Sequence, residues 1–196
     1  MLTVVIPVLG PAPALPAALR RLAPAREVLV CLDAHAPPPD VLMLDAPGSV
    51  AVVRADDPGH AAARNAGIRM ASQPVTLLLD PALVPERDVL ERHAQFHAAR
   101  PEDDQALLGR VLVPDPRSRL RRRLLPTDVL TGDHADAEAF SSAHVSLKTA
   151  LLQRVDGFDE ALSDPTDLDR ELAHRLADDH GLELWFDPHT TVRRRF

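Results

Sequence analysis

The chain has 196 residues, of which 45% are apolar and 26% charged, with a net charge of −7. Such a chain buries roughly 70% of its unfolded surface, enough for one compact domain over residues 1–196. The acidic balance excludes general nucleic-acid binding, which needs a basic face, and no apolar run reaches the ~20 residues of a membrane helix.

In chain order, Leu2-Thr-Val-Val-Ile-Pro7 reads as a buried strand, and the chain enters it with no charged leader or cleavage signal. A helix is expected over 12–22 and a second buried strand over 27–32, closed by Asp33. That strand holds Cys31, the single cysteine. One cysteine forms no internal disulfide and suits a reducing compartment, so the expected location is cytoplasmic. Inside an apolar strand the thiol reads as inert.

Further strands are expected at 49–53, 75–79, 107–113, 141–146 and 182–186, with helices at 60–71, 86–98, 148–153 and 167–178. This alternation predicts an α/β fold with a mostly parallel sheet flanked by helices. The proline- and charge-rich segments 34–45 and 114–139 read as loops. Asp164-Pro165-Thr166 is a helix-start signal. His93 and His97 lie four apart on a helix, but with no third ligand evident they read as solvated. The run Arg117–Arg123 carries five arginines, suited to a solvated loop, an anionic head group at a membrane surface or an acidic acceptor.

The most telling stretch is Gly59-His-Ala-Ala-Ala-Arg64-Asn-Ala-Gly67, a helix opened by glycine, followed by the apolar strand Val75–Leu79 and Asp80. In open α/β sheets ligands bind beyond the carboxyl ends of the strands, which is where Asp33 and Asp80 stand. With the opening strand, Asp156-Gly-Phe-Asp-Glu160 and Leu168-Asp-Arg-Glu-Leu-Ala-His-Arg-Leu176, the chain resembles the family 2 glycosyltransferases of GT-A fold. Their pattern runs from "VVIPV" through "ARNxG", "LDxD" and "GGFDE" to "EDxxLxxRL". The resemblance spans Thr3 to about Val192, and the matches at Ala63–Gly67 and Gly157–Glu160 are the specific ones.

That resemblance implies an inverting transferase moving a sugar from a nucleotide-diphosphate donor to an acceptor hydroxyl. It places the donor nucleotide at Pro7, Asp33, Arg64 and Asp80, and the acceptor (a saccharide, a lipid-linked group or a small molecule) at Asp159 and Glu160. Asp169 aligns with the family's base, in register with Leu172 and Arg175; Leu168 stands where the preceding glutamate would be. Each residue also has a plainer reading: Asp33 as a turn former, Arg64 as a surface arginine, and Asp169 as a helix-start acid beside Asp167.

One departure matters. The family's second carboxylate after the fourth strand is here Ala82, in Asp80-Pro81-Ala82. Alanine cannot ligate a metal, so the expected Mg²⁺ or Mn²⁺ is held weakly, through the diphosphate and Asp80, or is replaced by protein cations. The alternative is a non-catalytic nucleotide-binding or scaffold module. A dehydrogenase is excluded because no Gly-x-Gly-x-x-Gly follows the first strand. A sugar nucleotidyltransferase is excluded because that position holds Gly10-Pro-Ala-Pro.

Overall fold

A computed structural model describes residues 1–37, 49–113 and 134–195. In it β1 (Leu2–Val8), β2 (Glu27–Leu32), β3 (Val50–Arg54), β4 (Val75–Leu79), β5 (Leu83–Pro85), β6 (Gln105–Leu112), β7 (His134–Ala135), β8 (His144–Lys148) and β9 (Glu183–Arg194) form one sheet. The helices are α1 (Leu15–Leu22), α2 (His60–Met70), α3 (Val89–Ala99), α4 (Thr149–Arg154) and α5 (Pro165–His180). The strand order is β3-β2-β1-β4-β8-β6-β9-β5, with β7 on β9.

The first four strands of that order are mutually parallel, β8 is antiparallel to both its neighbours, and β6 again runs parallel to β9. The sheet is thus largely parallel, with antiparallel strands in its second half. Parallel strands covered on both faces need apolar side chains in both directions, and β1 and β4 are buried at every position. Pro7 is tolerated inside β1 because pairing to β4 ends at Val5, so its missing N–H costs no bond there.

Side chains alternate between two cores. Val4, Ile6, Leu77 and Leu79 pack against α1 and α3, and Val5, Leu78, Leu108 and Leu147 against α2, α4 and α5. On the second face α2 lies so close that a Cβ on Gly67 would fall 2.5 Å from Cys31 Sγ and 2.6 Å from Val5 Cγ1. Cys31 is buried, and desolvation pushes its thiol up to about 12.

The expected elements are present, with shifted ends. β9 runs to Arg194 instead of stopping near 186, passing a bulge after Asp187. Pro188 and the charges beyond Val192 break the apolar alternation that would have revealed it. Neither β5 nor β7 was expected; β7 and a short 3₁₀ turn at Ala137–Ala139 occupy part of the segment expected to be loop. The Arg117–Arg123 run lies outside the described residues.

The histidines on α3 are not solvated: His93 and His97 are 0% and 4% exposed. His93 Nδ1 and His97 Nε2 meet the Ser146 hydroxyl at 2.7 and 2.8 Å, and His93 Nε2 meets His144 Nε2 at 3.0 Å. The polar residues of β8 that receive them come some fifty residues later in the chain, which is why local reading placed these rings in water.

Candidate active site

The site lies beyond the carboxyl ends of β1, β2 and β4, on the sheet face covered by α2 and α5. The backbone turns away from β2 at Asp33, whose amide donates to the Val8 carbonyl at 3.0 Å. Its carboxylate accepts the His35 amide at 2.9 Å and the Gly59 amide at 2.6 Å. Those amides hold the Asp33 carboxyl below its ordinary range. Arg54, which sequence reading passed over, donates to the carbonyls of Asp33, Ala34 and Ala36 at 2.9–3.1 Å and fixes this turn.

Arg64 is 6% exposed, not a surface arginine. It donates to the His60 carbonyl at 3.1 Å, its guanidinium sits 5.5 Å over the Phe158 ring, and its buried Nε has no partner among the described residues. Burial pulls its pKa down, while Asp169 and Asp80 both act on it in the opposite sense. His60 feels Arg64, Asp80, Asp33 and Asp164, and burial with Arg64 lowers its pKa. Asp33, Arg64, Asp80 and Asp169 therefore share one electrostatic neighbourhood, two of them from strand ends and two from helices. His60 is a member that no motif announced.

Helix α5, which begins at Pro165, separates the roles of Asp167, in its first turn, and Asp169, beyond it. Asp164 caps the helix, accepting the Thr166 amide at 2.8 Å. Asp167 points outward and pairs with Arg170 at 3.2 Å. Asp169 turns inward: Oδ2 accepts the Ser142 amide at 3.1 Å, and buried Oδ1 has no partner among the described residues. Burial raises the Asp169 pKa, and the Ser142 contact and Arg64 only partly offset it. Leu168 is buried in the α2–α5 core, so an apolar side chain suits the position where the related pattern has glutamate.

Asp159 and Glu160 lie on the loop after α4. Asp159 is exposed and accepts the Ala161 amide at 2.9 Å. Glu160 accepts from Asn65 Nδ2 at 2.8 Å and lies 3.6 Å from Arg69. Together with Asn65, Phe158, Glu171 and Arg175 they line a cleft of about 590 Å³. Arg175 holds that loop, donating to the Val155 and Gly157 carbonyls and pairing with Glu171 at 2.7 Å.

A divalent ion needs several oxygen ligands. Asp80 offers one carboxylate, whose Oδ1 already accepts the Ala82 amide at 2.8 Å. Among the described residues no group of three histidine, cysteine or acidic side chains is placed to hold a metal. The donor set does not fit a resident ion. No described helix is long and apolar enough to cross a membrane.

The profile of the family described as Glycosyl transferase family 2 matches residues 3–159. No curated protein matches the chain. Among solved structures, TarS 1-349 of S. aureus superposes with a TM-score of 0.75 at 16% identity, over 98% of this chain and 60% of that one. The same protein in complex with UDP-GlcNAc gives 0.72 at 18% identity, over 100% and 59%. The mannosyltransferase PcManGT from Pyrobaculum calidifontis, in complex with GDP-Man and Mn2+, gives 0.67 at 21% identity, over 98% and 56%. The chain thus spans less than two thirds of each of these proteins.

Proposed function

The chain belongs to glycosyl transferase family 2, and from that premise we propose that it transfers a sugar from a nucleoside-diphosphate donor to an acceptor hydroxyl with inversion. The observation that carries this reading is the inward Asp169, a carboxylate made more basic by burial, beside the buried cation Arg64.

In this reading the base and ribose lie over Pro7 and Asp33, and the diphosphate meets Arg64 and Asp80. The acceptor oxygen attacks the anomeric carbon as the bond from that carbon to the diphosphate oxygen breaks. Asp169 takes the hydroxyl proton on its unpartnered Oδ1, while the Ser142 amide fixes its other oxygen. Arg64 offsets the charge that develops on the leaving diphosphate. Acceptor hydroxyls are assigned to the polar cleft of Asp159 and Glu160. With Asp80 as the carboxylate available to an ion, dependence on Mg²⁺ or Mn²⁺ is weak.

The decisive experiment is a transfer assay across nucleotide-sugar donors and saccharide acceptors, run with a thermal-shift panel of nucleoside diphosphates. Stabilisation by a diphosphate together with transfer supports the reading, because binding to the native state raises its stability. Stabilisation with no transfer across the panel favours a nucleotide-binding module instead.

A further inference from the structure

Position 82, where the related pattern has its second carboxylate, is not empty of charge. It faces the basic end of β9. The Arg195 amide donates to the Ala82 carbonyl at 3.0 Å, and from there β5 and β9 run antiparallel, with Leu83 opposite Arg194 and Val84 opposite Arg193. Val192 packs in the α1–α3 core. Alternation therefore turns Arg193 and Arg195 to the opposite face, the one shared by α2 and α5. Arg193 is ion-paired to Glu86 at 2.5 Å. The exposed Arg195 guanidinium has no partner among the described residues.

A second arginine reaches the same face from the sheet. Ala106 and Leu108 of β6 pack in the α2–α5 core, and Arg110 is two residues further along that face. It is paired with Thr191 of β9. Its Nε is buried and lacks a partner among the described residues, a state that costs free energy unless something fills it. On the other side of β6, the Asp80 amide donates to Ala143 at the start of β8 at 3.0 Å. From Asp80 the strand ends thus run through Ala143 before β8 and Arg110 on β6 to Thr191 on β9, two residues before Arg193.

We propose that Arg110 and Arg195, with Arg64, bind the diphosphate of a nucleoside-diphosphate ligand and take the charge-neutralising place that a doubly ligated metal ion would hold. The proposal rests on the donor reading above and specifies how the donor is held. A guanidinium remains charged at any working pH and offers a planar fork of donors that matches phosphate oxygens. A chain holding one carboxylate at this position and arginines across the strand gap binds such a ligand without a divalent ion.

Calorimetric titration with UDP and with GDP, in EDTA and in Mn²⁺, tests this. The wild-type chain binds one of them in EDTA. Arg195→Ala and Arg110→Ala each weaken that binding about tenfold, as expected for one charged hydrogen-bonded contact. Arg110→Lys keeps the charge without the fork and falls between. Arg20→Ala, an exposed cation on α1, leaves affinity unchanged. Because Arg195 is exposed, loss there is not a folding defect, and the melting temperature of each variant confirms it. Wild-type binding that vanishes in EDTA overturns the proposal. So does wild-type affinity in both arginine variants while Arg64→Ala loses binding, a result that leaves the donor reading standing. Binding of no nucleoside diphosphate under either condition removes both.

Discussion

Asn65 on α2 and Phe158 on the loop after α4 exchange two hydrogen bonds, each 2.8 Å long. The Phe158 amide donates to Asn65 Oδ1, and Asn65 Nδ2 donates to the Phe158 carbonyl. The amide side chain stands in for a neighbouring strand across 93 residues of sequence. Gly157 makes this possible: its φ is +66°, and a Cβ there would lie 2.2 Å from Asn65 Oδ1. The same joint sets the Phe158 ring beneath Arg64.

Replacing Asn65 with alanine strands both Phe158 backbone groups in the interior. Each unpaired buried group costs about 1–3 kcal/mol, so Asn65→Ala lowers unfolding free energy by about 2–4 kcal/mol. Urea denaturation measures this; a midpoint equal to wild type would show that the joint carries no stability.

Arg64→Ala removes the buried cation nearest the proposed diphosphate. Nucleoside-diphosphate affinity falls by about 1.5–3 kcal/mol, the range for hydrogen bonds to charged groups. Calorimetry reads it directly, and unchanged affinity counts against that role.

Asp169→Asn keeps the shape and the Ser142 contact but cannot accept a proton. Transfer is lost while donor binding stays near wild type, a loss confined to the chemical step. Since burial raises the Asp169 pKa, the acidic limb of the wild-type kcat/KM profile lies above the ordinary carboxylate range. A variant that retains turnover, or a limb at the ordinary value, removes Asp169 as the base.

The histidine cluster on α3 and β8 makes the fold acid-sensitive. Burial holds His97 and His144 down to about 4, and His93 is also lowered, by burial and its two ring neighbours. Lys148 adds to the effect at His97, and Asp187 opposes it at His144. The unfolded chain protonates these rings near their ordinary 6.5, so below that pH it binds more protons than the native state. Their stabilisation is complete above about 6.5 and is lost as pH falls toward 4. Between pH 7 and 5 each of His97 and His144 costs about 2 kcal/mol. Melting temperatures across that range check the sign; a flat profile would contradict it.

The parallel half of the sheet was legible because its strands are short apolar runs closed by Asp33 and Asp80. The tie between Asn65 and the Gly157–Glu160 loop was visible only as two motifs with no stated contact, since pairing across 93 residues leaves no local period. His60, Arg54 and Arg110 were missed for a related reason. Arg54 meets backbone carbonyls and Arg110 a strand neighbour, and the charged groups around His60 include Asp33, Asp80 and Asp164 from other elements, none of which residue type discloses. His93 and His97 were misread because α3 has one polar-looking face whose partners, Ser146 and His144, come from a strand some fifty residues later.

The contact between Gly67 and Cys31 gives the molecule an internal timer. The sole thiol lies under α2, and its high pKa keeps it protonated. An alkylating reagent reaches it only when α2 lifts from β2. The labelling rate of the unmodified chain therefore counts openings of the seam on which Arg64 rides. A ligand that clamps Arg64 slows that count in proportion to its occupancy, with no dye or substitution needed to see it.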